Sequence, residues 1–129
     1  MKNDGGSIRN LQADFDAAES ESSFQRRVIA LARQHGWMVH HTRPALRGSG
    51  RWSTPIQGDA GFPDLVLARS GVLWLVELKA AKGRVSEAQQ EWWRATMPYY
   101  RLFRPQHWAE IEKLLRGADA LEAIRKAGE

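Results

Sequence analysis

The chain has 129 residues, enough for one domain with a real core and too few for two. Charged residues make up 26 % and hydrophobic residues 43 %, a globular balance. There is no cysteine, which excludes a disulfide scaffold, thiolate metal sites and cysteine nucleophiles. No apolar run approaches the roughly 18 residues of a membrane span, and no basic-then-apolar leader pattern opens the chain. A cytoplasmic protein is expected. The net charge is +4 and uneven. Residues 1–23 carry two basic and five acidic side chains, a net −3, so residues 24–129 carry a net +7. A basic body favours a polyanionic partner, most simply nucleic acid.

In chain order, residues 1–19 are polar and lack sustained periodicity, and they read as a flexible N-terminal tail with at most a helical turn from Ile8 to Ala18. A helix is predicted from Ser22, with Gln25 at capping-box spacing and Phe24, Val28, Leu31 and Ala32 as one apolar stripe. Gly36 ends it, and Trp37 to Thr42 reads as a strand. Residues 44–63 hold four glycines and three prolines and form a long loop; loops of that length are usually functional or disordered. Asp64 to Ala68 and Val72 to Ala80 are strands joined by Ser70-Gly71, a two-residue hairpin signal. Ser86 with Gln89 opens a second helix, and Pro98 stops it. Tyr99 to Phe103 is a fourth strand. Trp108, Ile111, Leu114 and Leu115 mark a third helix, and residues 117–129 read as a C-terminal helical extension. The order α-β-β-β-α-β-α predicts an α/β fold, a small mixed sheet flanked by helices. Trp37, Trp74, Trp92, Trp93 and Trp108 fall within helix or strand patterns, as core or interface residues.

The hairpin register carries the chemistry. With Ser70 and Gly71 as loop residues, Arg69 pairs with Val72 and Asp64 faces Glu77. Facing residues have Cβ atoms about 4.5–5.5 Å apart on one face of the sheet. Lys79, two residues on, shares that face. Like charges directly opposite destabilise a sheet, and a divalent cation would offset the cost. The competing reading is a Lys79 salt bridge with both carboxylates at solvated strand ends. A metal held by Asp64 and Glu77 would polarise a phosphodiester and lower the pKa of a water; Lys79 would orient that water or neutralise developing charge. The backbone carbonyl of Leu78 is placed as a further oxygen ligand.

Gly61-Phe62-Pro63-Asp64, a hairpin and Glu77-Leu78-Lys79 resemble the Asp…Glu-X-Lys pattern of the PD-(D/E)XK nuclease superfamily. The wider string is similar to its VRR-NUC (virus-type replication-repair nuclease) family. Ser20-Glu21 with Phe24-Gln25 opens that string, followed by His41-Thr42-Arg43, the Gly-Phe-Pro-Asp turn and Glu-Leu-Lys. Lys82-Gly83-Arg84, then Ser86 with Gln89 and Trp92, and Arg104-Pro105 complete it. The resemblance covers about residues 20–116 and implies a restriction-endonuclease-like core. It implies Asp64 and Glu77 as ligands of Mg²⁺ or Mn²⁺ and Lys79 as the catalytic lysine, with Glu21 and Gln89 matching the family's acidic and glutamine positions. Small standalone members, of phage and bacterial type, imply a structure-specific DNA endonuclease cutting branched DNA such as Holliday junctions in DNA repair. A C2 homodimer would supply two active sites. The alternatives are a DNA-binding module that does not turn over and a restriction-type nuclease.

Several of these residues have a second reading. Gln89 closes a capping box as readily as it reaches a site. Glu21 also suits a helix N-terminus. His40 and His41 point to opposite faces of a strand, so at most one faces the site; His41 is the candidate. Arg43, Arg47 and Arg51 from the long loop, and Lys82 and Arg84 from the other rim, are candidate phosphate contacts. Trp52 is a candidate for stacking on an unpaired base.

Overall fold

The computed structural model describes residues 4–41, 45–46, 52–53, 58–117 and 128. The elements run α1 (Asp4–Ala18), α2 (Glu21–Gln34), β1 (Met38–His41), β2 (Ala45–Leu46), β3 (Trp52–Ser53), β4 (Leu65–Arg69), β5 (Val72–Leu78), α3 (Glu87–Thr96), β6 (Tyr100–Phe103) and α4 (Trp108–Arg116). The main sheet has the order β1-β4-β5-β6. The β1–β4 and β4–β5 pairs are antiparallel and β5–β6 is parallel, so the sheet is mixed. The parallel pair is joined by a crossover through α3, as parallel strands require. Among the described residues no helix is long and apolar enough to cross a membrane.

Alternation sorts the sheet into two faces. Leu65, Leu67, Val72, Trp74, Val76, Leu78 and Phe103 point to one face and are buried. Phe24, Val28 and Ala32 of α2, spaced four residues apart, pack onto that face with Trp37 and with Ile111 and Leu115 of α4. The second face carries Val66, Leu75, Glu77 and Tyr100. α3 covers it only beside β6, and Met38 and Leu73 are exposed. α3 itself has no buried residue.

Two boundaries and one segment differ from the sequence reading. α2 starts at Glu21 rather than Ser22, because Ser20 is the N-cap and accepts the Ser23 N–H at 3.1 Å. Residues 4–18 are helical where a tail is predicted. Leu11 and Phe15 of this helix are exposed, and a Gln12–Asp16 bond of 2.9 Å at i, i+4 supports it. Over residues 11–18 this helix buries no side chain, so that stretch has no stripe for hydrophobic periodicity to mark. The long connection before β4 contains the short antiparallel ladder β2–β3. Of the C-terminal extension, residues 118–127 and 129 lie outside the described residues.

Candidate metal centre

The β4–β5 hairpin closes on Ser70 and Gly71, both in the left-handed region at φ 50° and 81°, the conformation of a type I′ turn. Arg69 pairs with Val72 and Leu65 with Val76, the register read from the sequence. Pairing stops there. One step further, Asp64 stands against Glu77 at a position where the strands exchange no backbone bonds and side chains come closest. Asp64 then turns in and accepts the Leu78 N–H on Oδ2 at 2.8 Å. In a continued ladder that N–H would go to Pro63. Pro63 has no N–H to return, so the Leu78 carbonyl at the same place keeps a free lone pair.

Glu77 is 1 % exposed, the one buried charged residue in the described core. No donor among the described residues reaches either of its carboxylate oxygens. Its pKa lies well above the usual carboxylate range. Burial is the main cause, followed by the adjoining Asp64 carboxyl, through its side-chain contact and then its charge. The Lys79 ammonium acts in the opposite direction, and Glu21 adds a smaller upward push. Glu21, at the first position of α2, is itself pushed up by burial and by Asp64 and drawn down by Lys79. Asp64, Glu77, Lys79 and Glu21 therefore share one field, brought together from α2, the turn before β4 and the end of β5.

The turn carrying Asp64 is seated on α3. Gly61 has φ +90°, and a Cβ there would lie 2.6 Å from the Ala88 carbonyl carbon and 2.8 Å from the Gln89 nitrogen. Phe62 meets Trp92 edge to face at 5.0 Å, and the Trp92 indole N–H donates to the Ala60 carbonyl at 3.0 Å. Gln89 closes the capping box of α3: its Oε1 accepts the Ser86 N–H at 2.8 Å, and its own N–H donates to Ser86 Oγ at 3.2 Å. That accounts for the glutamine as a cap, with only its amide nitrogen left to face elsewhere.

Beyond Glu77 the chain is tied to β6. The Lys79 N–H donates to the Phe103 carbonyl at 3.1 Å. Arg104 Nη1 gathers the carbonyls of Ala80 at 2.9 Å and Gly83 at 2.8 Å, with Ala81 at 3.4 Å. This bracket holds the turn that presents Lys82 and Arg84, both exposed. The β1–β4 register sets His41 opposite Leu65 and His40 opposite Val66. Parity thus puts His40 on the sheet face of the carboxylates and His41 on the core face, which corrects the choice between the two. His41 is half-buried, with Nδ1 enclosed and without a partner among the described residues. Arg43, Arg47 and Arg51 lie outside the described residues, as does the side chain of Trp52.

Tyr100 was missed. It is 2 % exposed, its ring stacks on Trp93 at 5.6 Å and 7°, and its hydroxyl has no partner among the described residues. Burial, then the charges of Glu77 and Asp64, push that hydroxyl up. Its place depends on the parallel pairing of Leu75 with Tyr100, which no local pattern announces.

The donor set suits a hard divalent cation. Mg²⁺ is commonly held by one or two carboxylates with several waters retained, and here the Asp64 and Glu77 carboxylates adjoin at the end of the β4–β5 hairpin. A buried carboxylate without a donor is the group such an ion would satisfy. Among the described residues no group of three or more His, Cys, Asp or Glu is placed to hold a metal ion. Comparison with family models, with curated proteins and with solved structures finds no match to the chain.

Proposed function

We propose that the protein is a Mg²⁺- or Mn²⁺-dependent DNA endonuclease with a restriction-endonuclease-like core, of the VRR-NUC type within the PD-(D/E)XK superfamily. The observation that carries this reading is Glu77: a fully buried carboxylate with no donor among the described residues, next to Asp64 and two residues before Lys79. A structural salt bridge would leave Glu77 paired; a metal ligand would leave it as it is. Asp64, Glu77 and the Leu78 carbonyl would hold the ion. The ion supplies Lewis-acid stabilisation of phosphoryl oxygens and a water of lowered pKa.

The protein's own residues do the rest. The Leu78 N–H fixes Asp64, so one ligand is oriented before any ion arrives. The Lys79 ammonium holds the attacking water or offsets charge on the phosphate. Glu21 stands where it can accept a proton or a water from the α2 side. Lys82 and Arg84 take backbone phosphates from the rim. The substrate is duplex or branched DNA, with branched DNA such as a four-way junction favoured, and a C2 dimer would present two such sites.

The test is cleavage of labelled duplex, flap, splayed-arm and four-way-junction DNA with Mg²⁺, Mn²⁺ or EDTA, by the native protein and by Lys79→Ala. Metal-dependent cutting that is lost in the variant is expected. Binding of the same DNAs without cutting under either metal would overturn the nuclease and leave a DNA-binding module.

A further inference from the structure

Two buried groups on the second face of the sheet lack what the other offers. Among the described residues, Tyr100 Oη is a donor without an acceptor, and both Glu77 oxygens are acceptors without a donor. Buried tyrosine hydroxyls ordinarily find a partner. The β5–β6 register pairs Leu75 with Tyr100 and Glu77 with Leu102. Tyr100 and Glu77 are therefore diagonal neighbours on adjacent strands, side chains on the same face. The Tyr100 ring is clamped, lying parallel to Trp93 with a 7° interplanar angle, and it is almost wholly buried. Its hydroxyl cannot turn to solvent to satisfy itself.

We propose that Tyr100 is a positioning residue of the candidate metal centre: its hydroxyl donates to one oxygen of the metal-bound Glu77 carboxylate and leaves the other oxygen to the cation. The inference rests on the reading of Asp64 and Glu77 as metal ligands. It adds a role for β6, which contributes no ligand itself. A ligating carboxylate is itself normally hydrogen-bonded, and loss of such a partner typically weakens metal binding about 10- to 100-fold. Lys79 cannot fill this role while it attends to water or phosphate. The Leu78 N–H is already spent on Asp64.

The experiment is Mn²⁺ titration by calorimetry of the native protein, Tyr100→Phe and Glu77→Gln, with thermal melts of each in EDTA. Phenylalanine keeps the ring and its stacking on Trp93 and removes only the hydroxyl. The expected result is binding by the native protein, a roughly 10- to 100-fold weaker site in Tyr100→Phe, and none in Glu77→Gln. The EDTA melt of Tyr100→Phe should not fall. Equal Mn²⁺ affinity in the native protein and Tyr100→Phe would overturn the role of Tyr100 and leave the metal centre standing. So would a lowered EDTA melt with unchanged affinity, which would assign the hydroxyl to the fold. No Mn²⁺ binding by the native protein would overturn the metal centre and this inference with it.

Discussion

Asp64 accepts the Leu78 backbone N–H at 2.8 Å, just past the last paired residues of the hairpin. The bond crosses from the turn before β4 to the residue following Glu77. It fixes one carboxylate by the backbone that carries the other, so the two acidic groups cannot drift apart while the sheet is intact.

That arrangement costs stability. Glu77 is buried without a donor and carries a raised pKa. Glu77→Gln removes the ionisable carboxyl and keeps the shape. The metal-free variant should be more stable than the native protein by about 1–3 kcal/mol, and should not bind Mn²⁺. Urea melts in EDTA check the first, calorimetric titration the second. A destabilised Gln variant would mean that Glu77 has a partner the structure does not contain.

Gly61→Ala should be among the most damaging single changes in the chain. The new Cβ would meet backbone atoms of Ala88 and Gln89 inside 3 Å, at a φ of +90°. Backbone cannot yield as a flexible side chain can, so a loss of about 2–4 kcal/mol is expected. Because Asp64 is three residues on, DNA cleavage should fall even under conditions where the variant is folded. Denaturant midpoints and cleavage rates measured on the same preparation test both.

Glu19 and Arg27 form a two-pronged ion pair, with Nη2 at 2.7 Å and Nε at 2.9 Å from the carboxylate. Ser23 adds a third bond at 3.0 Å, and the guanidinium lies 4.1 Å over the Trp108 ring. The Arg27 hydrogen bond, opposed by burial, holds the Glu19 carboxyl below its usual value. A lowered folded-state pKa gives stability that is present above the ordinary carboxylate range and lost as pH falls through the folded value. Glu19→Gln should therefore cost about 1–2 kcal/mol at pH 7, since Arg27 is partly exposed. The gap from the native protein should narrow as the pH falls below the ordinary carboxylate range. Melts across pH 3–7 would show whether the two curves converge.

Arg104→Met should separate DNA binding from metal binding. Loss of the guanidinium frees the carbonyls of Ala80 and Gly83 and loosens the turn that presents Lys82 and Arg84. A stability cost of about 1–3 kcal/mol is expected from the unpaired carbonyls. DNA affinity, read by anisotropy with a labelled junction, should drop several-fold while Mn²⁺ affinity is kept.

Much of the fold was legible in the residues themselves. A two-residue Ser70-Gly71 turn leaves the hairpin only one low-strain register, and that register sets Asp64 against Glu77. Phe24, Val28 and Ala32 mark the buried stripe of α2, and Ser86 with Gln89 mark the start of α3. These are local signals: a turn type, a period and a cap each act within a few residues. α1 leaves no buried stripe over residues 11–18, where Leu11 and Phe15 are exposed. Spacing alone does not distinguish Ser20 from Ser22 as the cap, and the structure places it at Ser20.

The sequence by itself determined the acidic pair, the lysine beside it and the strands that hold them, because hairpin geometry follows from neighbours along the chain. Only the tertiary structure decided which groups surround that pair. Glu21 arrives from a helix more than forty residues upstream, and Tyr100 from a strand whose parallel partner could not be read from either segment. Gly61 is required by the approach of α3 as well as by its own φ. Which strand lies beside which, and which histidine of His40 and His41 faces inward, is settled by the burial of one sheet face against α2 and α4. That burial is a property of the assembled core and is carried by no single stretch of chain.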